Sequence, residues 1–241
     1  MESILEICQE VADLAAVQKP NDLFDANNQH DRIFKSMAID TLEELMRYGD
    51  WQELTNEAAF RTICGVANYR ITDMVDDFYC ILHNTIYIKD SQDKIIGSIT
   101  PEQWVKEKMY HCPSLDIKFK IQHDCIKFLK APNDSYKIIF TYRSNAICFT
   151  PDTYETKSKI TKNSDVPIFD KYLVKLGILW RCLNRNGLDY AETYNQYQRE
   201  LKKRFGTGTA TEDINLAGVD DSGGLTSGVI AYAKNECQSC S

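Results

Sequence analysis

Leu42-Glu43-Glu44-Leu45-Met46-Arg47-Tyr48-Gly49-Asp50-Trp51-Gln52 is where the chain changes texture. Up to Tyr48 the apolar residues Phe34, Met37, Ala38, Leu42 and Leu45 recur every three or four positions. That is the period of a helix burying one face, so the spacing predicts a helix from about Asp31 to Tyr48, with Gly49 as its stop. Beyond Asp50-Trp51-Gln52 the pattern becomes strand-like, with a period near two. Helical spacing that gives way to strand spacing and later returns defines an α+β chain. N- and C-terminal helices form a helical bundle, a small antiparallel β domain is inserted between them, and an extended C-terminal tail follows.

Upstream, Ile4, Cys8, Val11 and Ala15 predict an amphipathic helix over 3–17, with Ser3 as its N-cap and Pro20-Asn21-Asp22 as its exit. Residues 1–50 are therefore the N-terminal helices of the bundle. Downstream, candidate strands fall at 57–63, 80–89, 94–99, 117–121, 125–130 and 136–143. Asp90-Ser91-Gln92-Asp93, His123-Asp124 and Pro132-Asn133-Asp134 supply turns between them. One helix interrupts, from Thr100 as N-cap and Pro101 as first position to about Met109, with Trp104 and Val105 facing the sheet. These make 51–150 the β domain.

Residues 151–205 begin as a polar loop, to about 166, and return to helix. Leu173, Leu176, Leu179, Trp180 and Leu183 mark a helix over about 168–185. Asn186-Gly187 breaks it, and a second helix runs from about Asp189 to Phe205, completing an antiparallel hairpin. Tyr190, Tyr194, Tyr197 and Leu201 lie on one stripe of that second helix. Tyrosine suits a core edge or a subunit interface equally well, so Tyr190, Tyr194 and Tyr197 are candidate interface residues.

The chain has 241 residues, 43% of them hydrophobic, enough for one large core or two small ones. It has no apolar run of about 18 residues to span a membrane, and the N-terminus lacks the regions of a secretory signal. Together these predict a protein that stays in the cytosol of the cell that makes it. Nine cysteines, at 8, 64, 80, 112, 125, 148, 182, 237 and 240, sit mostly among apolar neighbours and read as reduced, buried thiols. The net charge is −7 with no basic block, which argues against holding nucleic acid by phosphate neutralisation.

That charge is uneven. In 206–241, Glu212, Asp213, Asp220, Asp221 and Glu236 against Lys234 leave −4 of the total. The same segment holds six of the eleven glycines, yet also apolar residues too numerous for an inert linker. Leu216, Val219, Leu225, Val229, Ile230 and Tyr232 are its candidate partner-binding residues, on a tail expected to order against another protein.

Nothing in the sequence specifies a reaction. His30, His83, His111 and His123 show no metal-ligand spacing, and Cys237-Gln-Ser-Cys240 has no second pair. His111-Cys112 is adjacent in sequence only. Gly206-Thr-Gly208 lacks the lysine of a phosphate loop, and Glu43-Glu44 and Asp76-Asp77 fit solvated surface better than a pair of catalytic carboxylates. The sequence therefore reads as a non-enzyme, with no metal and no cofactor.

Several segments, in order, resemble one family. They are Leu5-Glu-Ile-Cys-Gln-Glu-Val-Ala12, Tyr48-Gly-Asp-Trp-Gln-Glu-Leu-Thr55, Asn68-Tyr-Arg-Ile-Thr-Asp73, Ile99-Thr-Pro-Glu-Gln-Trp-Val105, and Leu176-Gly-Ile-Leu-Trp180 followed by Gly187-Leu-Asp-Tyr-Ala-Glu192. Across roughly 4–205 they look like the head-to-tail adaptor (connector, head completion) proteins of short-tailed and related tailed bacteriophages; the tail from 206 does not match. The resemblance implies a structural virion protein at the head–tail junction, assembled from the host cytoplasm. It would form a ring, of twelve copies, between the phage portal protein and the tail nozzle or tail tube protein. Packaged DNA would pass through without specific binding, and the tail segment would seat on the portal. A virion-associated cell-wall hydrolase and a tail nozzle or fibre-attachment subunit are the alternatives.

Overall fold

A computed structural model describes residues 2–82, 84–89, 95, 97–109 and 117–206. The protein is α+β, with antiparallel sheets and, among the described residues, two separate hydrophobic cores. The first core belongs to the helices. α1 (Ile4–Leu14) opens on a capping box: Ser3 Oγ accepts from the Glu6 amide and the Glu6 carboxylate accepts from the Ser3 amide at 2.7 Å. It buries Ile4, Ile7, Cys8, Val11 and Ala12. α2 (Gln29–Tyr48) starts earlier than its apolar spacing predicts, because Asn28 Oδ1 accepts from the His30 amide at 3.0 Å and caps it. Gly49 ends α2, but with extended backbone (φ −173°) rather than a left-handed cap. A Cβ there would stand 2.5 Å from the Phe205 ring, so the glycine serves close packing.

Trp51 closes this part. Its indole N–H donates to the Leu45 carbonyl at 2.6 Å, and its ring packs edge-on against Phe169 and Phe205. The chain then leaves for the second core through β1 (Thr55–Arg61), β2 (Asn68–Arg70), β3 (Phe78–Ile81), β4 (Tyr87–Ile88), α3 (Pro101–Met109), β5 (Phe119–Gln122), β6 (Cys125–Phe128) and β7 (Lys137–Ser144). β7 is central to its sheet, pairing antiparallel with β1 on one side and with β3 and β4 on the other. Its alternate residues Ile138, Phe140 and Tyr142 are buried with Ile71, Ile86, Phe119, Ile126 and Phe128. β6 pairs with β2 and β5 in a second sheet. His123 and Asp124 both adopt positive φ (51° and 54°), giving the two-residue hairpin turn that matches strand twist.

Three expectations change here. Residues 80–89 form two short strands, β3 and β4, and the Thr85 hydroxyl donates to the Leu82 and Thr141 carbonyls between them. Among the described residues of 94–99 there is no strand; the Ile99 amide instead donates to the Phe119 carbonyl. In α3, capped reciprocally by Thr100 and Gln103, Trp104 is buried but Val105 is 54% exposed. Neighbouring helical residues lie about 100° apart, so both cannot face the core.

The stretch predicted as a loop carries β9 (Thr156–Lys157), which with β8 (Cys148–Phe149) just before it and β10 (Val166–Pro167) at its end makes a third sheet. Ala146, Ile147 and Cys148 pack into the helical core, which shortens the β domain to about 55–145. Asp165, fully buried, knots the segment together. Its carboxylate accepts from Lys157 Nζ at 3.0 Å and from the amides of Thr161 at 2.7 Å and Lys162 at 2.9 Å. Its carbonyl in turn accepts from the Ile4 amide at 2.9 Å, tying the knot to α1.

α4 (Lys171–Arg185) and α5 (Ala191–Gly206) complete the bundle. α4 is its middle member, packed against α1, α2 and α5. Accordingly its buried residues, Leu173, Val174, Leu176, Gly177, Ile178 and Cys182, extend beyond the single stripe that was expected. Arg143 stitches the two parts together, donating to the Gly49 carbonyl at 2.5 Å and to the Asp50 carboxylate at 3.0 Å.

Candidate functional site

The α4–α5 hairpin carries the most distinctive surface among the described residues. Its turn places α5 back along α4: the Leu188 amide donates to the Leu183 carbonyl at 3.0 Å, and Asp189 Oδ1 accepts from the Ala191 amide at 3.0 Å, capping the new helix. That geometry sets the start of α5 over Trp180. The Tyr194 ring meets the Trp180 indole edge-on at 5.2 Å, and Tyr190 lies tilted at 6.3 Å. The Arg181 guanidinium also lies over the Trp180 ring, at 4.4 Å. Tyr190 and Tyr194 remain 38% exposed, and Leu188 at the turn is exposed too. Trp180, Tyr190, Ala191, Tyr194 and Asn195 line a shallow cleft.

One polar atom in this surface lacks a partner. Trp180 Nε1 is buried and donates no hydrogen bond among the described residues. A buried N–H without an acceptor costs about 1–3 kcal/mol, and because the atom itself is covered it offers no bond at the surface. An exposed aromatic cleft has the chemistry of a protein interface, where Trp and Tyr supply the anchoring area.

The tyrosine stripe therefore divides. Tyr190 and Tyr194 are open to contact, whereas Tyr197 is fully buried and belongs to the core of the protomer, which corrects its place among the interface candidates. Its hydroxyl donates to Glu44 Oε1 at 3.4 Å; Glu44 also pairs with Arg181, whose guanidinium donates to Thr41 Oγ1 at 3.1 Å. Burial and the neighbouring Glu44 push the Tyr197 phenol well above its ordinary value. The angular stripe was correct, but what lies opposite differs along the helix axis: Glu44 and α4 for Tyr197, Trp180 for the other two. The tail candidates Leu216, Val219, Leu225, Val229, Ile230 and Tyr232 lie outside the described residues.

Other groups with chemical potential have structural neighbours. Burial pushes the thiols of Cys8 and Cys148 up to about 12, leaving both protonated and unreactive at neutral pH. Cys64 is exposed, against the expectation of a buried thiol, and Cys80 and Cys125 are half-buried. Glu43 pairs with Arg47 along α2, and Asp77 accepts from the Tyr142 hydroxyl at 2.8 Å. Among the described residues no three His, Cys, Asp or Glu side chains converge as a metal site, and no helix is long and apolar enough to cross a membrane. His111 and Cys112 lie outside the described residues. No protein-family model matches this sequence, and no curated protein matches it either.

Proposed function

We propose that this chain is a structural assembly subunit, a ring-forming adaptor between the portal and the tail of a tailed bacteriophage, and that the Trp180 cleft is one of its contact surfaces. The observation that carries the proposal is the exposed aromatic cleft of Tyr190, Tyr194 and Leu188 around Trp180, set on a hairpin braced by the Glu44–Arg181–Thr41 network. A rigid support of this kind lets aromatic side chains bind with little loss of conformational entropy. The resemblance of the segments quoted above to head-to-tail adaptors supplies the kind of neighbour: a second subunit beside it in the ring, the portal above, the nozzle or tube below. The acidic balance of the chain fits a channel that DNA traverses without being held.

The test is assembly on the portal of the same phage, followed by co-sedimentation and particle imaging. Tyr190→Ala with Tyr194→Ala, which strips the cleft of its two exposed rings, is expected to leave the monomer folded. The pair should weaken ring formation by at least about thirtyfold, the effect of losing roughly 2 kcal/mol at an interface anchor. Rings that form undiminished with both changes refute this surface, and failure of the native chain to bind portal refutes the adaptor itself. A chain ending at Gly206 measures the contribution of Leu216, Val219, Leu225, Val229, Ile230 and Tyr232 in the same assay; equal portal binding would remove the tail's proposed role.

A further inference from the structure

β1 is a seven-residue edge strand whose outer side has no partner among the described residues. Its ladder partner is β7, in unbroken register from Thr55↔Arg143 to Arg61↔Lys137. Three backbone bonds fix which of its groups point where. The Thr62 amide donates to the Tyr136 carbonyl, so positions in phase with Thr62, namely Asn56, Ala58 and Phe60, bond toward β7. On the far side of β7 the Thr141 and Lys137 carbonyls accept from Leu82 and Lys89, and these are the residues opposite Glu57 and Arg61. The N–H and C=O groups of Thr55, Glu57, Ala59 and Arg61 therefore point outward from the sheet. The side chains of Glu57, Ala59 and Arg61 are exposed as well, while Ala58 and Phe60 turn inward.

Sheets elsewhere in the molecule protect their edges. β2, β9 and β10 are two or three residues long, and β5 is covered by Ile99, which donates to the Phe119 carbonyl. β1 has no proline, no bulge and no covering segment among the described residues, the features that keep an edge from pairing. Its charges also suit itself. An antiparallel copy can align the outward residues in several registers, but only the one centred on Ala59 sets Glu57 directly opposite Arg61, twice over. Moving the centre by two residues either way brings Glu57 against Glu57 or Arg61 against Arg61.

We propose that β1 is a self-association edge: it pairs antiparallel with β1 of a second copy about a two-fold axis at Ala59, joining the two β7-centred sheets into one. The pairs Glu57–Arg61, Ala59–Ala59 and Arg61–Glu57 each exchange backbone hydrogen bonds, and two cross-strand ion pairs flank the axis. Ala59, at the centre, has the smallest side chain available to an L-residue and is exposed. The interface is isologous, so it closes at two copies. It lies in the β domain, apart from the hairpin cleft, and stands or falls independently of the adaptor reading. Its small area makes it a reversible contact rather than an obligate one.

Sedimentation velocity of the full chain over a concentration series, at low and high salt, tests the pairing. The native protein should move from monomer toward dimer, with salt weakening the association. Glu57→Arg and Arg61→Glu should each weaken it about tenfold or more, since each sets like charges opposite one another at both pairs. An equimolar mixture of the two variants should restore dimerisation, because one copy then presents arginine at both positions and the other presents glutamate at both. Ala59→Pro should abolish it while sparing the fold, because the N–H it removes points away from β7. Hydrogen exchange gives a second reading: the amides of Glu57, Ala59 and Arg61 should gain protection with concentration, and those of Asn56, Ala58 and Phe60 should not change. A chain that stays monomeric at about 0.5 mM, where even a contact of roughly 4–5 kcal/mol would be visible, overturns the proposal. So does a dimer indifferent to all three substitutions.

Discussion

Asp165→Asn should lower the stability of the protein at neutral pH by about 3 kcal/mol, a large share of what a domain of this size holds in reserve. The carboxylate is fully buried, and four donors converge on it: Lys157 Nζ, the Thr161 amide and hydroxyl, and the Lys162 amide. An amide of the same shape offers one acceptor oxygen where the carboxylate offers two. Whichever way it turns, its NH2 confronts either the Lys157 ammonium or the two backbone donors. The loss is felt beyond the loop, because Asp165 also holds its own carbonyl toward Ile4 at the start of α1. Urea denaturation followed by circular dichroism measures the difference, and a loss smaller than about 0.5 kcal/mol would show that the knot is incidental.

The pH dependence of that difference has a definite sign. Burial alone would raise the Asp165 carboxyl, but the Thr161 and Lys162 amides and the Lys157 charge outweigh it and hold the group below the ordinary aspartate value. A carboxyl depressed in the folded state contributes stability that is present above its unfolded value, about 4, and is lost as the pH falls through that value toward the folded one. The gap between native protein and Asp165→Asn should therefore be widest near neutrality and narrow below about pH 4. Glu6 and Glu10, also held low, by the Ser3 amide and by Lys171, soften both proteins alike in acid and cancel from the comparison. A gap that stays constant from pH 7 to pH 3 would mean that the ionised carboxylate is not what the knot depends on.

What made the helices readable is that their evidence is local. Ser3 and Glu6 lie three residues apart, as do the apolar positions of α1 and α2, so cap and face are both visible before anything packs. The hairpin turn His123-Asp124 is local in the same sense. The sheet of β8, β9 and β10 was not readable for the opposite reason. Its strands are two residues long, carry no periodicity, and exist because Cys148 meets Lys157 and Pro167 across the loop. The boundary of the β domain moved with them, since Ala146 and Ile147, inside a boundary drawn at 150, pack into the helical core. The aromatic surface was half legible. Tyr190, Tyr194 and Tyr197 could be placed on one stripe, but no spacing rule says where along a helix the neighbouring element stops covering it. Trp180 falls in sequence on the apolar stripe of α4, and its orphan N–H depends on which acceptors folding leaves out of reach. The outward phase of β1 likewise follows from its register with β7, which a single sequence does not contain.

Gly177→Leu should cost about 4 kcal/mol, and even Gly177→Ala should destabilise, although alanine in place of a mid-helix glycine ordinarily gains about 1 kcal/mol. α2 and α4 cross at this glycine. A Cβ on residue 177 would overlap Thr41 Cγ2 and stand 3.2 Å from the Tyr197 ring, so three helices meet where there is room for a hydrogen atom. Thr41 cannot swing aside without loss. It is fully buried, its hydroxyl donates to the Met37 carbonyl at 2.7 Å and accepts from Arg181, and Arg181 in turn binds Glu44 beneath the Trp180 cleft. A β-branched residue also has few rotamers to move to in a helix. The same substitution should therefore loosen the support of the hairpin surface as well as the bundle. The partner change identifies the cause: Thr41→Ser removes the clashing methyl and keeps the hydroxyl, so in that background Gly177→Ala should recover most of its loss. A double-mutant cycle by urea denaturation is expected to show coupling of about 1–2 kcal/mol between the two positions. Simple additivity would place the strain elsewhere than at the α2–α4 crossing.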